Sequence, residues 1–136
     1  MVAAALARNP LFEGLDAGDL EQLAWLMQPK RFAPGDVICE EGQAGDSLFV
    51  ITEGEAGVHV NGNSATTLSA GDHFGEIALV SEVERTATVT ARTELRCLEI
   101  PFWDFRDFAL TNPDVTWKLL QHVVEVLSAK TAPAPA

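Results

Sequence analysis

The 136-residue sequence predicts a mainly β domain, an antiparallel sandwich, barrel or jelly roll, with helices at both ends. Three observations carry that expectation. Between Lys30 and Ile100, glycines at 35, 42, 45, 54, 57, 62, 71 and 75 punctuate short runs rich in Val, Ile and Thr. Asn61-Gly62 separates two of those runs and suits a tight hairpin, whose two turn positions need positive φ. Outside that region, leucines and valines recur at helical spacing.

Taken in order, Asp16 is placed to cap a helix running to about Met27, with Leu20, Leu23, Leu26 and Met27 on one face and Pro29 closing it. The expected strands are Val37–Glu40, Leu48–Thr52, Gly57–Val60, Ala65–Leu68, Thr86–Ala91 and Leu95–Ile100. A short helix over Phe102–Leu110 follows Pro101, and Asn112-Pro113 starts a longer one to about Lys130. The chain therefore divides into a helical segment at 1–29, a β region at 30–100, helices at 101–130 and a disordered Pro/Ala tail at 131–136. In the last helix, Val115, Trp117, Leu119, Leu120, Val123, Val124, Val126 and Leu127 spread over an arc of about 200°. That width fits either a helix sunk in its own core or one covering a pocket on one side and a second subunit on the other. Trp117 reads as core packing in preference to a lid stacked on a ligand.

Composition narrows the function. With 20 acidic residues against 9 Lys+Arg the net charge is −11, and no basic stretch exists to neutralise nucleic-acid phosphates. The longest apolar run, Val2 to Ala7, is far short of a membrane span, and no basic segment precedes it as in a signal peptide. A soluble cytoplasmic domain is expected. Cys39 and Cys97 lack metal or redox spacing and read as buried free thiols. The three histidines, His59, His73 and His122, include no His-x-His pair, which leaves a cupin-type metalloenzyme a weak alternative; no metal or cofactor is expected. No cysteine or serine has a motif-level His/acid partner, so catalytic residues are not expected.

One stretch departs from strand-and-turn grammar: Phe74-Gly75-Glu76-Ile77-Ala78-Leu79, then Arg85-Thr86-Ala87. Gly75 permits close backbone approach to a ligand. N–H groups of a short helical turn at Ile77 to Leu79 would face an anion. Arg85 offers a planar fork suited to phosphate, and Glu76 an acceptor for a sugar hydroxyl. Together these residue types describe a site for a small phosphorylated sugar.

The stretch resembles the phosphate-binding cassette of cyclic nucleotide-binding domains, the module of the catabolite activator protein, kinase regulatory subunits and cyclic-nucleotide-gated channels. A second signature supports it, running from Ile38 through Gly42, Gly45 and the strand Leu48-Phe49-Val50-Ile51 to Gly54, and so does the lead-in Asn9-Pro10-Leu11-Phe12. The resemblance implies an eight-stranded antiparallel jelly-roll β-barrel with an N-terminal helix, a cassette at 74–87, and C-terminal hinge and lid helices. It implies that Arg85 neutralises the exocyclic oxygens of a cyclic phosphate and that Glu76 binds the ribose 2′-hydroxyl. Gly75 and the Ala78 amide would meet the phosphate, Thr86 would add a hydroxyl, and Phe74, Ile77 and Ala87 complete the ligand set. Gly42, Gly45 and Gly54 are read as turn-formers. The implied activity is cyclic-nucleotide sensing, cyclic AMP first and cyclic GMP second, with a homodimer or an effector protein docked through the last helix. A module that keeps the fold for docking and binds no nucleotide is the rival reading.

Overall fold

The computed structural model describes residues 6–9, 12–43, 45, 47–75 and 87–131. The helix α1 (Ala17–Leu26) starts where expected. Asp16 is extended, its carboxylate accepts from the Asp19 N–H at 2.8 Å, and the Asp19 carboxylate accepts from the Asp16 N–H at 3.3 Å. This reciprocal box satisfies two donors that a helix start leaves open. Leu20 and Leu23 face inward.

Among the described residues, eight strands follow: β1 (Gln28–Phe32), β2 (Val37–Cys39), β3 (Ser47–Glu53), β4 (Ala56–Val60), β5 (Asn63–Leu68), β6 (His73–Phe74), β7 (Thr88–Ala91) and β8 (Leu95–Pro101). They form two four-stranded sheets, ordered β1-β8-β3-β6 and β2-β7-β4-β5, and every pairing is antiparallel. The β4–β5 hairpin turns at Asn61 (φ 54°) and Gly62 (φ 77°), the left-handed pair that the sequence predicts. The chain thus has the mainly antiparallel β architecture with flanking helices expected of it.

Two strands were not predicted. Pro29 reads from sequence as a helix stop, yet β1 runs through it, pairing with Leu98 of β8. Proline is tolerated because β1 is an edge strand, where a missing N–H costs no ladder bond. The two-residue β6 is too short to leave a pattern of its own.

Alternation along β3 and β8 divides the interior into two cores. Phe49 and Ile51 of β3, with Leu95 and Cys97 of β8, point between the sheets, where they meet Cys39, Ala56, Phe74, Val89 and Ala91. Leu48 and Val50, with Leu98 and Ile100, point the other way and are covered by helical residues. The covering comes from Leu20 and Leu23 of α1, Phe108 of α2 (Phe102–Thr111), and Val115 and Leu119 of α3 (Pro113–Thr131), together with Leu6, Phe12 and Leu15.

The helical layer is tied together by polar contacts. Asn112 Nδ2 donates to the Phe108 carbonyl at 2.9 Å, and Thr116 Oγ1 donates to the Ala109 carbonyl at 2.6 Å, fixing the α2–α3 elbow. Lys118 Nζ lies 3.3 Å from Asp19 Oδ2, joining α3 to the cap of α1.

On α3 the structure decides between the two sequence readings. Val115 and Leu119 are buried, but Trp117 (62 % exposed), Leu120 (51 %) and Val124 (53 %) form an outward stripe. The helix is not sunk in its own core, and Trp117 is not a core residue. Periodicity measures how wide an apolar face is; it does not say what covers it. The helix also runs through Thr131, the first residue expected in the tail, while 132–136 lie outside the described residues.

Candidate functional site

The stretch singled out from sequence lies in the β6–β7 connection, one of those by which the chain passes from one sheet to the other. It departs from β6, at the edge of the first sheet, and arrives at β7, inside the second. The departing end of this crossing is held by a local turn, and the arriving end by contacts from distant parts of the chain.

At the departing end, the turn before β6 is closed by Asp72, whose carboxylate accepts from the Ser69 N–H at 2.8 Å. Backbone bonds then lash this turn to β3, with Gly71 N–H donating to Ile51 and Ile51 N–H to Asp72, both at 2.8 Å. In β6, His73 stands opposite Val50 and Phe74 opposite Phe49. The Phe74 ring is buried and stacks on Phe49, with centroids 5.0 Å apart and planes 12° from parallel. Gly75 follows at φ 83°, a left-handed conformation that a β-carbon would strain. Buried Phe74 thus anchors the backbone just before the point where it turns out of the sheet.

At the arriving end, Ala87 is half-buried and Thr88 pairs with His59 of β4. Thr88 Oγ1 accepts from the Glu41 N–H at 3.0 Å, while Glu41 Oε1 accepts from the Asn61 N–H at 2.9 Å. Glu41 therefore joins the β2–β3 turn, the hairpin tip and the arriving end. Gly42 (φ 85°) and Gly54 (φ 94°) stand in turns, as read from sequence.

Of the expected ligand residues, Phe74, Gly75 and Ala87 mark the two ends of this crossing. Glu76, Ile77, Ala78, Arg85 and Thr86 lie outside the described residues. The sequence reading missed the supports: Asp72, Glu41, Thr88 and, most of all, Asn9, which is fully buried. Asn9 belongs to the lead-in motif already noted, but its partners lie more than 60 residues away. Sequence spacing carries no sign of such a contact.

The two cysteines are buried and are not disulfide-bonded, as expected. Burial, together with nearby Cys39, pushes the Cys97 thiol from its ordinary 9.0 up to about 12. Among the described residues, no three His, Cys, Asp or Glu side chains gather where they could hold a metal ion. Among those residues, too, no helix is long and apolar enough to cross a membrane.

Fold and sequence together define the class. A family model for the cyclic nucleotide-binding domain matches residues 29–112, and the chain belongs to that family. A cyclic nucleotide-gated potassium channel of Rhizobium etli is 33 % identical over 120 residues, covering 88 % of this chain and 34 % of the channel. The crystal structure of the N-terminal domain of a transcriptional regulator from Streptomyces coelicolor A3(2) superposes with a TM-score of 0.88 at 31 % identity, covering 97 % of this chain and 98 % of that one. The regulatory domain of Toxoplasma gondii PKA, crystallised with cAMP, superposes with a TM-score of 0.71 at 28 % identity, covering 79 % of this chain and 42 % of that one. The chain spans about a third of the length of the curated channel relatives it matches.

Proposed function

We propose that this domain is a cytoplasmic cyclic-nucleotide sensor, taking cyclic AMP first and cyclic GMP second, with no catalysis of its own. The observation that carries the reading is the Gly75…Arg85 cassette in a chain of this family, falling in the connection between β6 and β7. Membership of the family and the cAMP held by the Toxoplasma relative support the ligand class.

In this reading the Arg85 guanidinium neutralises the exocyclic phosphate oxygens, and Glu76 accepts from the ribose 2′-hydroxyl. The Ala78 amide donates to the phosphate, Gly75 lets the backbone come close, and Thr86 adds a hydroxyl. Phe74, Ile77 and Ala87 shape the wall. Net charge of −11 opposes an anionic ligand at long range, so recognition rests on these local donors. Binding draws the cassette inward, releases the hinge at α2 and lets α3 close over the base. The shifted helix is the signal, passed to a second copy or an effector through the exposed face of Trp117, Leu120 and Val124. The ligand drives this only through its preference for the closed state.

Calorimetry with cyclic AMP and cyclic GMP tests the reading. Saturable heat with at least one is expected; no heat with either leaves a docking module that binds no nucleotide. Arg85→Leu should lose on the order of 2–4 kcal/mol of affinity, the scale of a buried phosphate deprived of its charged partner. Unchanged binding by that variant refutes the phosphate assignment.

A further inference from the structure

Asn9 occupies a tight turn ahead of α1, where its N–H donates to the Leu6 carbonyl at 3.0 Å and its carbonyl accepts from Phe12 at 3.1 Å. Its carboxamide is fully buried, a place such a group holds only when hydrogen-bonded. Nδ2 donates to the Gly71 carbonyl at 2.9 Å and stands 2.8 Å from His73 Nδ1. The Gly71 oxygen can only accept, so it decides which end of the carboxamide is nitrogen. That orientation makes His73 Nδ1 an acceptor and puts the proton of the neutral ring on Nε2.

Gly71 and His73 lie four and two residues before Gly75. The strand between them and the cassette is short. β6 has two residues and two register pairs to β3, so the β ladder by itself holds it along one side over a brief length. Asn9 adds a second attachment from outside the sheet.

We propose that Asn9 is a positioning residue for the ligand site: its carboxamide, through Gly71 and His73, holds β6 in the place from which Gly75 presents the cassette. The proposal rests on the cassette being the nucleotide site. Asn9 itself touches no ligand in this scheme. Its effect on affinity arises because the cassette binds from the held position and must be restored to it when the hold is lost.

The test uses the full chain and three variants. Asn9→Ala removes the carboxamide and with it the contacts to Gly71 and His73. His73→Phe keeps a ring and removes the acceptor. His73→Asn returns an acceptor oxygen at the δ position. Calorimetric affinity for whichever of cyclic AMP and cyclic GMP binds the wild type should fall about tenfold in Asn9→Ala and about fivefold in His73→Phe, and return to within about twofold in His73→Asn. A purely structural role would lower the melting temperature of the first two variants and leave their affinities unchanged, which overturns the proposal. If Asn9→Ala does not fold, the contrast between His73→Phe and His73→Asn decides. If the wild type binds neither nucleotide, the ligand assignment falls and the ligand-free protein supplies the readout. Hydrogen exchange at the Gly75 amide about tenfold faster in Asn9→Ala supports the hold on β6, and unchanged exchange overturns it.

Discussion

The two sheets use the same strand grammar and end in different environments. In the second sheet, β7 alternates strictly: Val89 and Ala91 point inward, and Thr88 and Thr90 are half exposed. The edge strand β5 is open to solvent over most of its length. In the first sheet, β3 buries Ser47 through Ile51 without a break, because one face looks between the sheets and the other lies under the helices. A strand covered on both sides loses its period-2 signature and becomes a solid apolar run. The β6–β7 connection runs from the sheet that the helices cover to the one they do not, so its two ends, Gly75 and Ala87, inherit unequal support.

The largest test of that contrast is truncation on each outer face. Leu48→Ala, on the helix-covered face of β3, should cost about 3 kcal/mol in chemical denaturation. Thr66→Ala, exposed on β5, should stay within about 0.5 kcal/mol of wild type. Equal losses would mean that the helices add little to the first sheet.

Between the sheets, Cys97 reports how dry the shared core is. Its thiol is held protonated to about 12 in the folded state, against 9.0 ordinarily. Folding is then unpenalised below pH 9.0 and loses stability as pH rises toward 12, because only the unfolded chain releases the proton. The loss should approach about 1.4 kcal/mol per pH unit above the ordinary value. Stability measured at pH 8 and pH 10 in wild type and Cys97→Ala checks this, since the variant should lose that part of the slope. Equal slopes would mean that water reaches the thiol.

The helical cover of the first sheet depends on how α1 begins. Asp16→Ala removes the acceptor for the Asp19 N–H and should cost about 1 kcal/mol. A loss well beyond that would show that the cap also steadies the Asp19–Lys118 tie to α3.

The smallest effect belongs to the solvated edge of the first sheet. Arg31 stands directly opposite Arg96, a repulsive pair answered by Glu94 on Arg31 at 2.7 Å and Glu53 on Arg96 at 3.3 Å. The hydrogen bond from Arg31, with its charge, holds the Glu94 carboxyl below the usual carboxylate range. Whatever stability it adds is present above that range and fades as pH falls through the lowered value. Carboxyl titration by NMR should show Glu94 returning to an ordinary midpoint in Arg31→Ala, with no measurable change in Tm.

Local chemistry made much of the molecule readable. Asp16 wrote a helix start, Asn61-Gly62 a hairpin, and the Val- and Thr-rich run around Val89 a strand, since each signal acts between near neighbours in the chain. β1 escaped notice because Gln28, Pro29, Lys30 and Arg31 face solvent and carry no apolar period; its strand state comes from pairing with β8. The cassette proposed to hold the ligand was legible as a spaced motif, whereas the contacts flanking it were not. Glu41 meets Asn61 and Thr88, and Asn9 meets Gly71 and His73, across separations that no spacing encodes.

The sequence alone thus determined the class of fold, the helix and hairpin termini, and the family. Those depend on local propensity, turn geometry and residue types at fixed spacing. Tertiary structure decided which apolar faces are covered: β3 on both sides, and α3 at Val115 and Leu119 but not at Trp117. It also decided what buried Asn9 holds. Burial and long-range hydrogen bonding belong to pairs of surfaces, and a linear pattern specifies only one member of each pair.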